Sequence, residues 1–256
     1  MILYFFSYYL ISIIFAAMAQ KKLLRFAQIK EFENVFEYPK DMQGQWANYF
    51  KNENGIVLEL ACGRGEYTVG LAQLDAERNF IGVDIKGNRM YIGAKNAIAD
   101  GLNNAAFLRT QIELIPDYFA AQEVSEIWIT FPDPQLRISK AKKRLTHPRF
   151  LRLYQQILKT DAAINLKTDS PHLYRFTKKV IAMHHLTLLE DTANAYAEKE
   201  IASELKIKTH YESLDIAGSK TIHYLKFTLP AVIEDYDDKL QDELVAENDI
   251  PNFEEK

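Results

Sequence analysis

Residues 56–66, IVLELACGRGE, are the stretch from which the rest of the chain is read. A short apolar strand, 56–60, runs into a loop carrying Gly63 and Gly65, and a helix is expected from Thr68 to residue 74. Glycines at such a junction let the backbone approach a ligand at a helix N-terminus. A lone Gly-x-Gly says little. The spacing to Asp84 says more, because an acidic residue closing the next strand, roughly 20 residues on, can accept hydrogen bonds from a ribose diol. Position 68 is Thr, so the third glycine of a dinucleotide fingerprint is missing. That favours S-adenosylmethionine over a nicotinamide dinucleotide, whose pyrophosphate needs a place of its own. Glu59 is expected to face the methionine ammonium or a bound water, with Gly63, Gly65 and Asp84 completing the cofactor loop. Cys62 reads as a small packing residue.

Outward from this loop, strands and helices alternate. Expected strands are 79–84, 106–109, 126–131, 162–167 and 222–229. Expected helices are 41–52, 89–100 (stopped by Gly101), 148–158 and 171–184, with a further helical stretch over 193–206. The alternation predicts a doubly wound, mostly parallel α/β sheet of Rossmann-like type, seven-stranded, with helices on both faces. Ligands in such sheets bind beyond the carboxyl ends of the strands. Glu59, Asp84, Asp133 and Asp169 all fall there.

The 256 residues are 48% hydrophobic, enough for one domain with a substantial core. The single cysteine precludes an internal disulfide and fits a reducing compartment. His184 and His185 have no metal-ligand companions, and no metal is expected. The net charge of −4 looks unsuited to nucleic acid, but it is unevenly spread. Ten acidic residues and only two lysines lie beyond position 231, so residues 1–231 carry +4. Residues 137–152 hold Arg137, Lys140, Lys142, Lys143, Arg144, Arg149 and Arg152 with no acidic residue. A solvated face normally mixes signs, so Lys140, Lys142, Lys143 and Arg144 are read as contacts to RNA phosphates. The acidic segment 231–256 is read as a solvated, partly disordered tail. Residues 1–17 are apolar and uncharged, and AQKKLLRFAQ after Met18 looks like an ordinary cytosolic start. The expected organisation is therefore a mis-assigned extension (1–17), an arm and helix (18–52), the main domain (53–230) and the tail, in the cytoplasm, with no stable membrane partner and a monomer favoured.

Taken together, ELACGRGEYT at 59–68, FPDP at 131–134, the basic run ending KKRLTHPRFL, LKTD at 166–169 and THYE at 209–212 resemble the bacterial tRNA (guanine-N7)-methyltransferase family over about residues 20–229. The resemblance implies methyl transfer from S-adenosylmethionine to N7 of guanine 46 in the tRNA variable loop. It places cofactor contacts at Glu59, Asp84 and Gln111, and a catalytic role, with cofactor contact, at Asp133. It places substrate contacts at Arg137, Asp169 and the Thr209, His210, Tyr211, Glu212 segment. Gln111 stands where the family is usually acidic, Gln135 where it usually has Trp, and Arg137 where it has Lys.

The chemistry suits these residues. Guanine N7 carries a lone pair and no proton, so no general base is needed and the protein's work is positioning and electrostatics. N7 alkylation leaves the base cationic, and a fixed carboxylate offsets that charge. Carboxylates also pair with guanine's N1–H and N2–H donors. Two other readings compete: an amino-group methyltransferase, disfavoured because Pro132-Asp-Pro-Gln135 lacks a double proline and an aromatic, and an RNA-binding module without catalysis.

Overall fold

The computed structural model describes residues 20, 23–213 and 221–248, the side chains of Tyr211, Glu247 and Asn248 excepted. The 1–17 extension lies outside the described residues. The described chain builds one eight-stranded sheet. Its strands are β1 (Val35–Glu37), β2 (Gly55–Leu60), β3 (Arg78–Asp84), β4 (Ala105–Arg109), β5 (Val124–Thr130), β6 (Leu158–Thr168), β7 (Thr187–Thr192) and β8 (His223–Thr228). The spatial order is β1-β4-β3-β2-β5-β6-β8-β7. Strands β1 through β6 pair in parallel, and β8 runs antiparallel to both β6 and β7.

The doubly wound, mostly parallel sheet agrees with expectation, but it has eight strands, not seven. The added edge is β1, where the arm lays Val35–Glu37 against Phe107–Arg109. Arg109 holds it there through Glu37 at 2.7 Å. Strand β7, TLLEDT, also went unread; five of its six residues are exposed, so it has no apolar alternation to announce it.

Side-chain alternation splits the core into two layers. Leu58, Leu60, Ile127, Ile129, Ile164 and Leu166 face one side. Val57, Phe80, Phe107, Trp128 and Tyr224 face the other. Helices α1 (Trp46–Phe50), α4 (Pro148–Gln155) and α5 (Pro171–Met183) cover the first layer, while α2 (Glu66–Leu74) and α3 (Gly87–Ala99) cover the second. With both faces covered, β2 is apolar almost throughout, as parallel strands are. Glu59 is the exception, and it points into the second layer.

Two helix starts show local chemistry at work. Ser170 caps α5 by accepting from the Leu173 amide, with Pro171 in the first turn. His147 caps α4, its Nδ1 accepting from the Arg149 amide. Burial pushes the His147 imidazole down to about 4, which keeps it a neutral acceptor.

Two expectations fail. Residues 193–206 are not one helix; they hold two 3-10 turns, Ala195–Ala197, capped by the Asn194 side chain, and Glu204–Lys206. Within the acidic segment, read as a solvated and partly disordered tail, residues 237–248 form α7 (Asp237–Asn248), which docks with Leu240 fully buried, Ile233 before it and Leu244 one turn on. Asp237 meets Arg152 at 2.7 Å and Glu243 meets Lys179 at 3.2 Å. Burying Leu240 contributes about 2 kcal/mol, while the more exposed pairs contribute under about 1 kcal/mol each. Apolar burial therefore anchors α7 and the charges orient it. Helix α6 (His210–Ser213) is a single turn.

Candidate active site

The loops after β2, β3, β4 and β5 open onto one cavity of about 530 Å3. It lies where the strand order reverses around β2, the position at which open α/β sheets bind ligands.

Its β2–β4 wall is shaped by glycine and carboxylate. Gly65, with φ +74°, starts α2. A Cβ there would sit 2.5 Å from Phe107 Cε1 and 3.2 Å from Gly93 Cα, so only glycine lets α2 and α3 approach this closely. Asp84 Oδ2 accepts from the Gly63 amide at 2.9 Å and Oδ1 from the Lys86 amide at 2.8 Å. Asp84 thus ties two loops together and still lines the cavity. Gly63 and Gln111 line it as well, whereas Gly65 is not among the lining residues.

Glu59 does not line it. The side chain is buried beneath the loop, where Oε2 accepts from the Thr68 amide (2.8 Å) and hydroxyl, and Oε1 from the Thr130 hydroxyl at 2.7 Å. Instead of facing a ligand, Glu59 fixes the start of α2 to the end of β5. Burial raises its carboxyl to about 7, against the three hydrogen bonds that lower it. Burial likewise pushes the Cys62 thiol well up, in keeping with a packing role.

The opposite wall is the loop Phe131–Gln135. Phe131 (φ +46°) and Gln135 (φ +47°) occupy left-handed backbone conformations that side chains disfavour. Such strain persists only where the surroundings enforce it. Here Asp133 Oδ1 accepts from the Gln135 amide at 3.0 Å, and Arg144 reaches back to donate to the Pro134 and Gln135 carbonyls at 3.1 Å. The exposed Asp133 carboxylate lines the cavity.

The structure divides the basic run and corrects the reading of Arg144 as a phosphate contact. Arg144 is buried, its guanidinium 4.4 Å over the Phe176 ring, and it braces the Asp133 loop. Arg152 is taken by Asp237. Lys140, Lys142 and Lys143 stay exposed, and Lys143 reaches the cavity wall. Lys142 stands 3.9 Å from Asp238 of α7. Arg149 lines the rim and pairs across the crevice with Glu113 at 3.6 Å.

Among the substrate positions, Thr209 lines the cavity. Arg137 is exposed and Asp169 half-buried; neither is among the lining residues. With Ser170 as the cap of α5, Asp169 is not spent on helix capping. His210 is half-buried, and the side chain of Tyr211 lies outside the described residues. Glu212 does not face the cavity: its carboxylate is 5% exposed and held by Lys167 at 3.1 Å and by the Tyr196 hydroxyl. Lys167, Thr110 and Thr130 went unassigned from sequence, and Arg149 was read only as part of the basic run. Lys167 carried a legible signal, a charge at an inward position of the apolar strand AINLKT.

The mostly parallel sheet, its crevice at the β2 switch point and the short glycine loop define a class I methyltransferase. Solved structures share the fold. KamB, a 16S rRNA methyltransferase, superposes with TM-score 0.56 at 16% identity over 73% of this chain and 93% of that one. A 30S ribosomal A1408 methyltransferase from an uncultured bacterium gives 0.53 at 16% identity, over the same shares of the two chains. Residues 53–225 match the family described as "Putative methyltransferase". Relatives named tRNA (guanine-N(7)-)-methyltransferase include those of Bacteroides thetaiotaomicron, 46% identical over 83% of this chain and 87% of the relative, and Christiangramia forsetii, 43% identical over 82% and 99%. That of Clostridioides difficile is 32% identical over 74% and 88%. The chain belongs to the tRNA (guanine-N7)-methyltransferase family. Among the described residues no group of side chains has the makings of a metal site, and no helix is long and apolar enough to cross a membrane.

Proposed function

We propose that this protein transfers the methyl group of S-adenosylmethionine to N7 of a guanine in tRNA, guanine 46 of the variable loop, in the cytoplasm. The observation that carries this reading is the pairing of two carboxylates across one cavity. Asp84 stands at the end of β3 and Asp133 in the strained loop after β5, with Lys143 and Arg149 at the rim.

The residues present fit the methyl donor. The Thr110 hydroxyl is buried in the cavity wall without a hydrogen-bond partner, so a polar ligand satisfies it. Each Asp84 oxygen accepts one backbone amide and keeps a lone pair for a ribose hydroxyl. Asp84, the Gly63 loop and Gln111 would hold the donor, which when bound supplies an electrophilic methyl group on a sulfonium.

The chain's own contribution is electrostatic. Asp133 offsets the positive charge that appears on the guanine ring as N7 is alkylated. Its loop is braced by Arg144, so the carboxylate is in place before the reaction. Lys143, with Lys140 and Lys142 outside the cavity, draws in the phosphate backbone without reading sequence. Arg137, Asp169 and His210 lie toward the same ends of β5 and β6 and are assigned to the RNA.

The test is incubation of purified protein with labelled donor and an unmodified tRNA transcript, then nucleoside analysis. The expected product is 7-methylguanosine, lost when guanine 46 is replaced by adenine. Label in another nucleoside, or persistence in the replaced transcript, overturns the reading.

A further inference from the structure

Lys167 lies at the end of β6 and is fully buried. An ammonium has three hydrogens to donate, and the acceptors around this one come from a distant stretch of chain. They are the Ile207 carbonyl at 2.8 Å, the Leu205 carbonyl at 2.9 Å and Glu212 Oε2 at 3.1 Å, with the Tyr196 hydroxyl at 3.3 Å. The second Glu212 oxygen takes the Tyr196 hydroxyl. Glu212 also closes a capping box on α6: its amide donates to Thr209 Oγ1 at 3.2 Å, and its Oε2 accepts from the Thr209 amide at 3.4 Å. The Thr-x-x-Glu spacing therefore has a structural account that leaves the carboxylate facing the lysine, not the cavity.

The same residue touches the other wall. The Lys167 carbonyl accepts from the Phe131 amide at 2.9 Å, where the Asp133 loop begins. Its ammonium lies 5.4 Å from the centroids of the Phe131 and Tyr67 rings. Lys167 thus joins the Asp133 loop, the Thr168-Asp169 strand end and the 205–212 segment that carries Thr209 to the cavity. A buried ion pair is rarely more stabilising than a well-packed apolar pair of similar volume. A charge kept here is better explained by the placement it enforces.

We infer that Lys167 is a positioning residue for the RNA-facing half of the site. Its ammonium latches residues 205–212 against β6 so that Thr209 closes the cavity wall, with Glu212 as the latch's counter-ion. This rests on the reading that the cavity receives an RNA purine.

The test is a double-mutant cycle on the full chain with Lys167→Met, Glu212→Gln and the pair combined. Four quantities are read: thermal midpoint, donor affinity by calorimetry, KM and kcat for tRNA, and amide hydrogen exchange across 205–212. Lys167→Met leaves Glu212 buried without a counter-ion and lowers the midpoint; the pair recovers most of that loss. KM for tRNA rises about tenfold in Lys167→Met and no further in the pair, while donor affinity stays within about twofold. Exchange across 205–212 accelerates in both, and exchange in the Gly63 loop does not. Multiplying effects on KM in the pair would show that Glu212 acts on the base by itself. Recovery of KM together with the midpoint would reduce Lys167 to a structural role. If the wild-type protein makes no 7-methylguanosine, exchange still reads the latch; unchanged protection of 205–212 in the pair removes it.

Discussion

On the β2–β4 side of the crevice, the groups that shape the cavity come from residues 59–66 and the ends of two neighbouring strands. On the β5–β6 side they come from three segments far apart in the chain: the Asp133 loop, the brace from Arg144 and the 205–212 stretch held by Lys167. Both sides use buried charge, in different ways. Glu59 satisfies its oxygens with neutral Thr68 and Thr130 donors within the loop's own neighbourhood. Lys167 needs acceptors 29 to 45 residues away. A wall made of local backbone is rigid from the moment the sheet forms. A wall latched by long-range polar contacts can be released one contact at a time, which suits the proposed entry of RNA on that side.

The largest effect should follow loss of Asp133. Asp133→Ala is expected to lower kcat by about 10²–10³-fold, the cost of removing one preorganised electrostatic group, with donor affinity held within about tenfold. Single-turnover kinetics and calorimetry check this, and wild-type turnover would take Asp133 out of the mechanism.

Glu59 breaks the comparison differently, through pH. Its folded-state pKa of about 7 exceeds the ordinary 4.5, so between those values the folded protein keeps a proton that the unfolded chain releases. Wild-type stability contributed by this group therefore falls as pH rises from 4.5 to about 7, then levels off. Gln can accept from Thr68 and donate to Thr130, and it does not titrate. Relative to Glu59→Gln, the wild type should lose about 3 kcal/mol across that window. Urea unfolding at several pH values reads this directly; an offset independent of pH would show that Glu59 stays ionised throughout.

Gly65→Ala tests the rigidity of the local wall. The added Cβ meets Phe107 at 2.5 Å, and φ is +74°. The expected cost is about 2–3 kcal/mol of stability, combining overpacking with a left-handed alanine. A shift in the thermal midpoint below about 1 °C would mean that α2 and α3 are free to separate.

The smallest effect belongs to the exposed lysines. Lys142→Glu with Lys143→Glu should weaken tRNA binding several-fold at low salt, fading as ionic strength rises. Arg144→Ala should differ in kind, lowering kcat at every salt concentration because it frees the Asp133 loop. Filter binding and turnover across a salt series separate the two, and a salt-dependent Arg144→Ala defect would return that residue to the phosphate contacts.

The β2–β4 side was legible in the sequence because its signals are local. Strand 56–60, the two glycines and Asp84 lie within about 30 residues, and each acts through its own backbone or its immediate neighbours. The β5–β6 side was legible only in outline. The run 137–152 announces positive charge but not which cations are buried, and Arg144 and Lys143 are adjacent residues with opposite fates. The Thr-x-x-Glu spacing marks 209–212 equally well as a substrate contact or a capping box. The acidic tail read as solvated because its charge outweighs three apolar residues, Ile233, Leu240 and Leu244, whose one-face pattern appears only once there is a core for them to meet.

From sequence alone came the doubly wound sheet, the position of the crevice and the two carboxylates that line it, Asp84 and Asp133. Those follow from side-chain periodicity, glycine's freedom at a tight junction and the spacing of acidic residues, all set within a few turns of chain. Tertiary structure alone decided that β1 adds an eighth strand, that α7 covers Arg152, that Arg144 is a brace and that Glu212 answers to Lys167. A charged side chain's role depends on whether its partner is water or a group brought from dozens of residues away, and only the folded chain brings that group to it.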